Sequence, residues 1–148
     1  RHERLGLAPH LLADLPALLA EAPAILPPVP KPVILTGEWV PENLLLARGP
    51  EGWDLAALID FGDVMLGPGD YDLLGPSSFI CAGVPGRLRS LFAGLGRPPA
   101  ALDARLRRQL LTLMMLHRFS DLRNVAIPDW EGQVSGLDAL GELLWPAL

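Results

Sequence analysis

The chain has 148 residues, half of them hydrophobic, and a formal net charge of −5. That length supports one compact domain with a sizeable core, and the acidic balance argues against nucleic-acid binding while suiting cationic ligands. No apolar run approaches the roughly 18 residues of a membrane span, and no signal peptide is visible. The single cysteine, Cys81, fits a reducing, cytoplasmic setting.

In chain order, Leu7 to Pro23 carries Leu11, Leu12, Leu15, Leu18 and Leu19 at helical spacing, with Pro16 placed to bend or break the helix. "ILPPVPKPV" reads as extended, because each proline pushes its predecessor out of the α region. "NLLLAR" and "DLAALIDF", joined by "GPEG", read as a β-hairpin. "GPGDYDLLGPSSFICAG" reads as a loop entering a helix, with Asp70 as its N-cap. "VPGRLRSLFAGLG" is a short helix, started by Pro85 and ended by Gly94 or Gly96. Ala101 to Ile127 reads as the longest helix, with a solvated basic front and a buried "LLTLMML" centre. "SGLDALGELLW" closes the chain as a capped helix. The pattern predicts an α+β domain, mainly helical, carrying one small hairpin, with no internal repeat and no second domain.

The chemistry concentrates at one end of that hairpin. Asp60 sits where the second strand gives out, and the first strand begins just after Asn43. In an antiparallel hairpin these two positions are neighbours, and Glu38 reaches in from the preceding loop. Two acids and an amide oxygen are hard donors of the kind that suit Mg²⁺, which takes one or two protein ligands and completes its shell with phosphate oxygens.

At these residues the sequence resembles a family. "TGEWVPEN" followed by "IDFGD" is similar to the catalytic loop and metal motif of the aminoglycoside phosphotransferases, in the protein-kinase-like superfamily. "GPGDYDLLG" matches the same family, so the motifs span about Leu35 to Gly75. The resemblance implies a kinase-like C-terminal lobe over residues 1–148, with the hairpin carrying the catalytic and metal motifs. It implies transfer of the ATP γ-phosphate, with Mg²⁺, to a hydroxyl of an aminoglycoside or another polar or cationic acceptor, a sugar or amino alcohol among them. By resemblance Glu38 is the catalytic base, Asn43 and Asp60 are the metal ligands, and Asp72 braces the catalytic loop.

The chain departs from the family pattern at two places in that loop. Thr36 stands where His is usual, in a role that supports the loop, and Glu38 stands where Asp is usual. These changes keep open an alternative, a pseudokinase-type lobe that binds a ligand or partner without catalysis; the retained Asn43 and Asp60 argue against it. The family's nucleotide-binding N-terminal lobe is not recognised here. Lys31 is the only lysine and lies between Pro30 and Pro32, and "GLGRPP" is a turn rather than a phosphate loop. The opening "RHERLG", without an initiator Met, reads as the start of a fragment that is inactive alone and that self-associates through an exposed apolar lobe surface.

Four further features are weaker. Asp63 is either a second acid of the site or a loop acid. "HRFSD" imitates a kinase catalytic triplet but falls in a helical pattern, where His117 and Asp121 pair at i and i+4. Trp130, between Asp129 and Glu131, reads as a surface loop rather than the wall of a cationic-sugar site. Cys81 reads as a small buried side chain.

Overall fold

The computed structural model describes residues 1–26, 28, 31–117 and 120–148. The chain is mixed helix and small sheets, with helices in the majority. Helix α1 spans Pro9–Ile25 and runs through Pro16 without breaking. Leu11 and Leu18, on either side of that proline, are buried against the rest of the molecule, and this packing outweighs the one ladder bond that proline removes. In "ILPPVPKPV", Pro27, Val29 and Pro30 lie outside the described residues, and Ile25 is the last residue of α1 rather than part of an extended segment. The final residue of that stretch, Val33, opens a strand that the sequence pattern does not reveal: β1, Val33–Leu35.

Strand β2, Leu44–Gly49, and β3, Gly52–Leu58, form the expected antiparallel hairpin, with Leu44 opposite Leu58 and Gly49 opposite Gly52. Leu45 faces Ala57 and Leu46 faces Leu55, so Ala56 is the extra residue of a bulge. Strand β3 stops at Leu58, short of the expected Phe61, because the chain turns at Asp60, which adopts a left-handed conformation with φ of 59°. Strand β4, Met65–Gly67, returns to pair with β1, placing Leu35 opposite Met65. The two small sheets therefore interlock in sequence: β1, hairpin, β4.

After β4 come a 3₁₀ helix, Gly69–Leu73, and a π-helical turn, Pro76–Ile80, where a loop entering a helix was expected. Asp70 does not cap a helix; Pro68 precedes the first turn and Asp70 pairs with Arg97 at 2.6 Å. Helix α2 is Pro85–Gly94, as the sequence predicts. Helix α3, Ala104–Leu116, is shorter than expected and is not the longest, α1 being four residues longer. Its C-terminal carbonyls are taken by the start of the chain. Arg1 Nη2 donates to the Met115 carbonyl at 2.9 Å, His2 Nε2 lies 2.9 Å from the same oxygen, and Arg1 Nη1 donates to the His117 carbonyl. Asp121 then caps a new 3₁₀ turn, Leu122–Asn124. Asp121 pairs with Arg123, not with His117, which has left the helix.

The core forms around α3. Leu110, Leu111, Met114 and Met115 pack with Leu11 and Leu18 of α1 and with Leu88 and Phe92 of α2. Helix α4, Trp130–Gln133, and α5, Leu137–Leu144, close the far side, where Trp145 is fully buried and donates Nε1 to Ser77 Oγ at 2.8 Å. Trp130 is buried, contrary to its expected place in a surface loop, because it joins this cluster. The basic front of α3 is engaged rather than merely solvated. Arg107 donates to the Trp145 carbonyl, and Arg108 ties Asp138 of α5 to Glu21 of α1. No described helix is long and apolar enough to cross a membrane.

The first turn of α5 is not capped by Ser135. The Leu137 N–H donates to Asp14 Oδ2 of α1 at 2.9 Å, so the cap comes from 123 residues away. Asp14→Ala should cost about 1 kcal/mol, the usual value of a lost N-cap, and lower Tm by about 2–4 °C in a thermal melt. Cys81 is buried as expected, and burial pushes its thiol up, partly offset by Arg87. At pH 7 to 8 it should react with a disulfide reagent on the order of a hundredfold more slowly in the native chain than in urea, read by absorbance.

Candidate functional site

Strand β1 delivers the chain into the loop Thr36–Trp39, and one carboxylate organises it. Asp72 Oδ2 accepts from the Thr36 N–H at 2.9 Å, the Thr36 hydroxyl at 3.2 Å and Trp39 Nε1 at 3.3 Å, while Oδ1 accepts from the Gly37 N–H at 3.2 Å. Four donors on one acid close a loop that has no ladder partners of its own. Thr36, where a His was the usual residue, contributes both a main-chain and a side-chain donor.

Two glycines let the loop sit this close to its neighbours. Gly37 has φ of 82°, and a Cβ there would lie 2.6 Å from the Asp63 carbonyl oxygen. Gly75 faces the Trp39 carbonyl so closely that a Cβ would collide with it. The loop is thus wedged between the turn after β3 and the segment after the 3₁₀ helix. Asp63 meets the loop through its main chain at Gly37.

Beyond the loop, a 3₁₀ turn, Pro41–Asn43, leads into β2. Asn43 is buried, and its Nδ2 donates to the Glu38 carbonyl at 3.1 Å. That bond fixes the amide so that Oδ1 is the free end. The Ile59 N–H donates to the Asn43 carbonyl at 3.0 Å, which continues the hairpin and brings the chain to Asp60 as the pairing predicts. Asp60 is exposed, and its Oδ1 accepts from the Gly62 N–H at 3.3 Å, an Asx-type turn that accounts for its left-handed backbone. Among the described residues no three His, Cys, Asp or Glu side chains converge as metal ligands. The donors on offer are the Asp60 carboxylate and the Asn43 amide oxygen, hard oxygen groups that fit a magnesium ion sharing its shell with phosphate.

Glu38 lines a cleft of about 490 Å³. Its walls include Glu42 from the 3₁₀ turn, Ser78 from the π-turn, Met114 of α3, and Asn124. Tyr71 and His117 stack with ring centroids 5.2 Å apart, and both rings also border a second cleft beside Gly62 and Asp63. Sequence reasoning placed His117 on a helix and missed the stack; the Trp39 donor and Ser78 had no sequence signal at all.

The profile of the phosphotransferase enzyme family, APH, matches residues 1–111. The chain belongs to that family. The matched stretch takes in both sheets, the loop, Asp72 and α2, whereas His117 and Asn124 of the cleft lie beyond it. No curated protein and no solved structure matches the chain. Membership makes the chain phosphotransferase-like, in agreement with the motif resemblance at Glu38, Asn43 and Asp60.

Asp72→Asn tests the brace. An amide keeps one acceptor oxygen and turns an NH₂ group toward donors, so at least one loop donor loses its partner. The variant should lose about 2–4 kcal/mol in urea unfolding, the scale of hydrogen bonds to a charged group, and the Thr36 and Gly37 amides should exchange faster. Unchanged exchange would show that other contacts hold the loop.

Proposed function

We propose that the chain is the kinase-like C-terminal lobe of a small-molecule phosphotransferase, moving the γ-phosphate of ATP to a hydroxyl of a polar or cationic acceptor, the aminoglycoside class among them. The observation that carries this is the Asp72-braced loop. It holds Glu38 in the lining of a cleft, with Asn43 bonded to its carbonyl at the end of the hairpin that leads to Asp60, inside the stretch that matches the family. A nucleotide-binding lobe outside these 148 residues would supply the rest of the ATP site. The exposed apolar side chains of the two sheets and of the turn between them, among them Ile34, Leu46, Trp53, Phe61 and Leu66, suit contact with such a lobe.

In this mechanism Glu38 is the catalytic base. The acceptor hydroxyl donates its hydrogen bond to the Glu38 carboxylate. As the hydroxyl oxygen bonds to the γ-phosphorus, the bond from phosphorus to ADP breaks and the proton passes to Glu38. Asn43 and Asp60 would hold Mg²⁺, which when bound neutralises phosphate charge. Asp72 positions Glu38 by fixing the main chain of the two residues before it, and Asn43 fixes the Glu38 carbonyl.

Assay of the chain joined to its nucleotide-binding lobe tests these roles. Glu38→Gln should lower kcat about a hundredfold or more with nucleotide affinity nearly intact, because a base acts only during transfer. Asp60→Ala should weaken Mg-ATP binding and turnover together. Glu38→Asp should be slower than the parent, since the loop is pinned on both sides of residue 38 and a shorter side chain loses reach. An undiminished rate in Glu38→Gln across candidate acceptors would favour the lobe as a binding module without catalysis.

A further inference from the structure

We propose that the groove between the β2–β3 hairpin and α2 binds a single-chain carboxylate, an apolar body with one anionic head, and that its occupancy stiffens the Thr36–Trp39 loop from behind. This site does not rest on the phosphotransferase function above. The groove encloses about 640 Å³, the size of a pocket for one small molecule. Leu44 and Leu55 of the hairpin line it, with Leu91 of α2, Leu95 just after α2, and Leu73 and Ile80 from the 3₁₀ helix and the π-turn. The bulge in β3 builds the hairpin wall. Cross-strand partners share a face, and side chains along a strand alternate. Because Ala56 is the extra residue, Leu55 rather than Ala56 pairs with Leu46, which puts Leu55 on the face of Leu44. Leu73 is buried, whereas Leu55 and Leu95 are exposed, so the apolar lining opens to water at its rim.

Two charged residues line the groove, Asp72 and Arg87. Asp72 has both carboxylate oxygens engaged by the four loop donors. Arg87 Nη1 donates to the Ile80 carbonyl at 3.1 Å, which holds the guanidinium against the end of the π-turn, and its charge is felt by the thiol of Cys81, another lining residue. Arg87 is exposed and has no carboxylate partner among the described residues, so its Nε–Nη2 edge is open to one. The cleft at Glu38 has the opposite character, with acids and neither Lys nor Arg among its described lining residues. The two cavities therefore take ligands of opposite charge. Docking on an anionic membrane calls for a cluster of cations, and this groove offers one on a chain of net charge −5, so a free carboxylate is the better match. Trp39 and Asp72 line both cavities, and the Trp39 Nε1 bond to Asp72, at 3.3 Å, is the longest of the four that hold the loop. An apolar chain laid in the groove takes water away from that bond and strengthens it.

Calorimetry on this chain with decanoate, decan-1-ol and decyltrimethylammonium tests the head group. Decanoate should bind one-to-one and about tenfold or more tighter than the other two. Arg87→Gln should weaken decanoate about tenfold, the scale of a hydrogen bond to a charged group, and leave decan-1-ol unchanged. In amide spectra decanoate should shift Cys81, Gly86 and Leu91 and slow exchange at Thr36 and Gly37. Decyltrimethylammonium binding as tightly as decanoate, or undiminished decanoate affinity in Arg87→Gln, would overturn the ligand class. Shifts confined to the Glu38 cleft would overturn the site, and unchanged exchange at saturation would overturn the coupling to the loop. Should Arg87→Gln fail to fold, the head-group series on the parent chain decides. Sedimentation with phosphatidylglycerol vesicles that Arg87→Gln abolishes would make the groove a membrane seat and overturn the free ligand. Loss of decanoate binding on joining the chain to its nucleotide-binding lobe would show that the lobe covers the groove, and would overturn it too. None of these readouts depends on phosphate transfer, so an inactive lobe-joined protein refutes the phosphotransferase function and leaves this site standing.

Discussion

The carboxylate of Asp72 is the constraint on which the site depends, and the 3₁₀ geometry of Gly69–Leu73 is what aims it. At three residues per turn, successive side chains leave the axis about 120° apart, and residues three apart eclipse. Asp70 and Leu73 share one side. Leu73 enters the core, and Asp70 is held by Arg97 from beyond α2 and by Gln109 of α3 at 3.4 Å. Tyr71 leaves on a second side and stacks on His117. Asp72 leaves on the third and meets the loop. One short helix thus fastens core, cleft wall and the Thr36–Trp39 loop together, and one of its anchors, Gln109, lies on α3.

This arrangement explains why so small a sheet content suffices. Strands β1 and β4 have three residues each, too few to be stable as an isolated pair. They are held because the chain on both sides of them is tied down. Leu35 is buried, Gly67 leads directly into the 3₁₀ helix, and Gly37 rests on the Asp63 main chain. The hairpin β2–β3 is longer but largely exposed, so its firm end is the one at Asn43, which is buried and bonded to the loop.

Much of this was legible in the sequence where the signal is local. Two short apolar runs and "GPEG" gave the hairpin, Pro85 and Gly94 gave α2, and the family resemblance pointed to the loop that Asp72 braces and to Glu38, Asn43 and Asp60 as candidates. What stayed hidden has distant causes. Helix α3 stops at Leu116 although its apolar pattern continues, because Arg1 and His2 occupy its last carbonyls from more than 110 residues away. The cap of α5 is likewise on α1. Strand β1 is masked by the prolines before it, and its partner is three residues in a glycine-rich turn. Ser78 could not be found because a π-turn has no period distinct enough to read in five residues.

The replacement of Asp by Glu at position 38 takes on a definite meaning in this frame. Main-chain donors before residue 38 are fixed on Asp72, and the carbonyl of residue 38 is fixed by Asn43. A loop pinned on both sides has little freedom to retreat by the length of a methylene. The carboxylate must then reach further than an Asp would from the same backbone, and under the proposed function an acceptor would have to place its hydroxyl to match. An offset near 1 Å is enough to matter for transfer, on the order of a hundredfold. Under that proposal the longer acid is coupled to the shape of the cleft: Trp39 and Ser78 line the same cleft as Glu38, so walls and acid would have to change together.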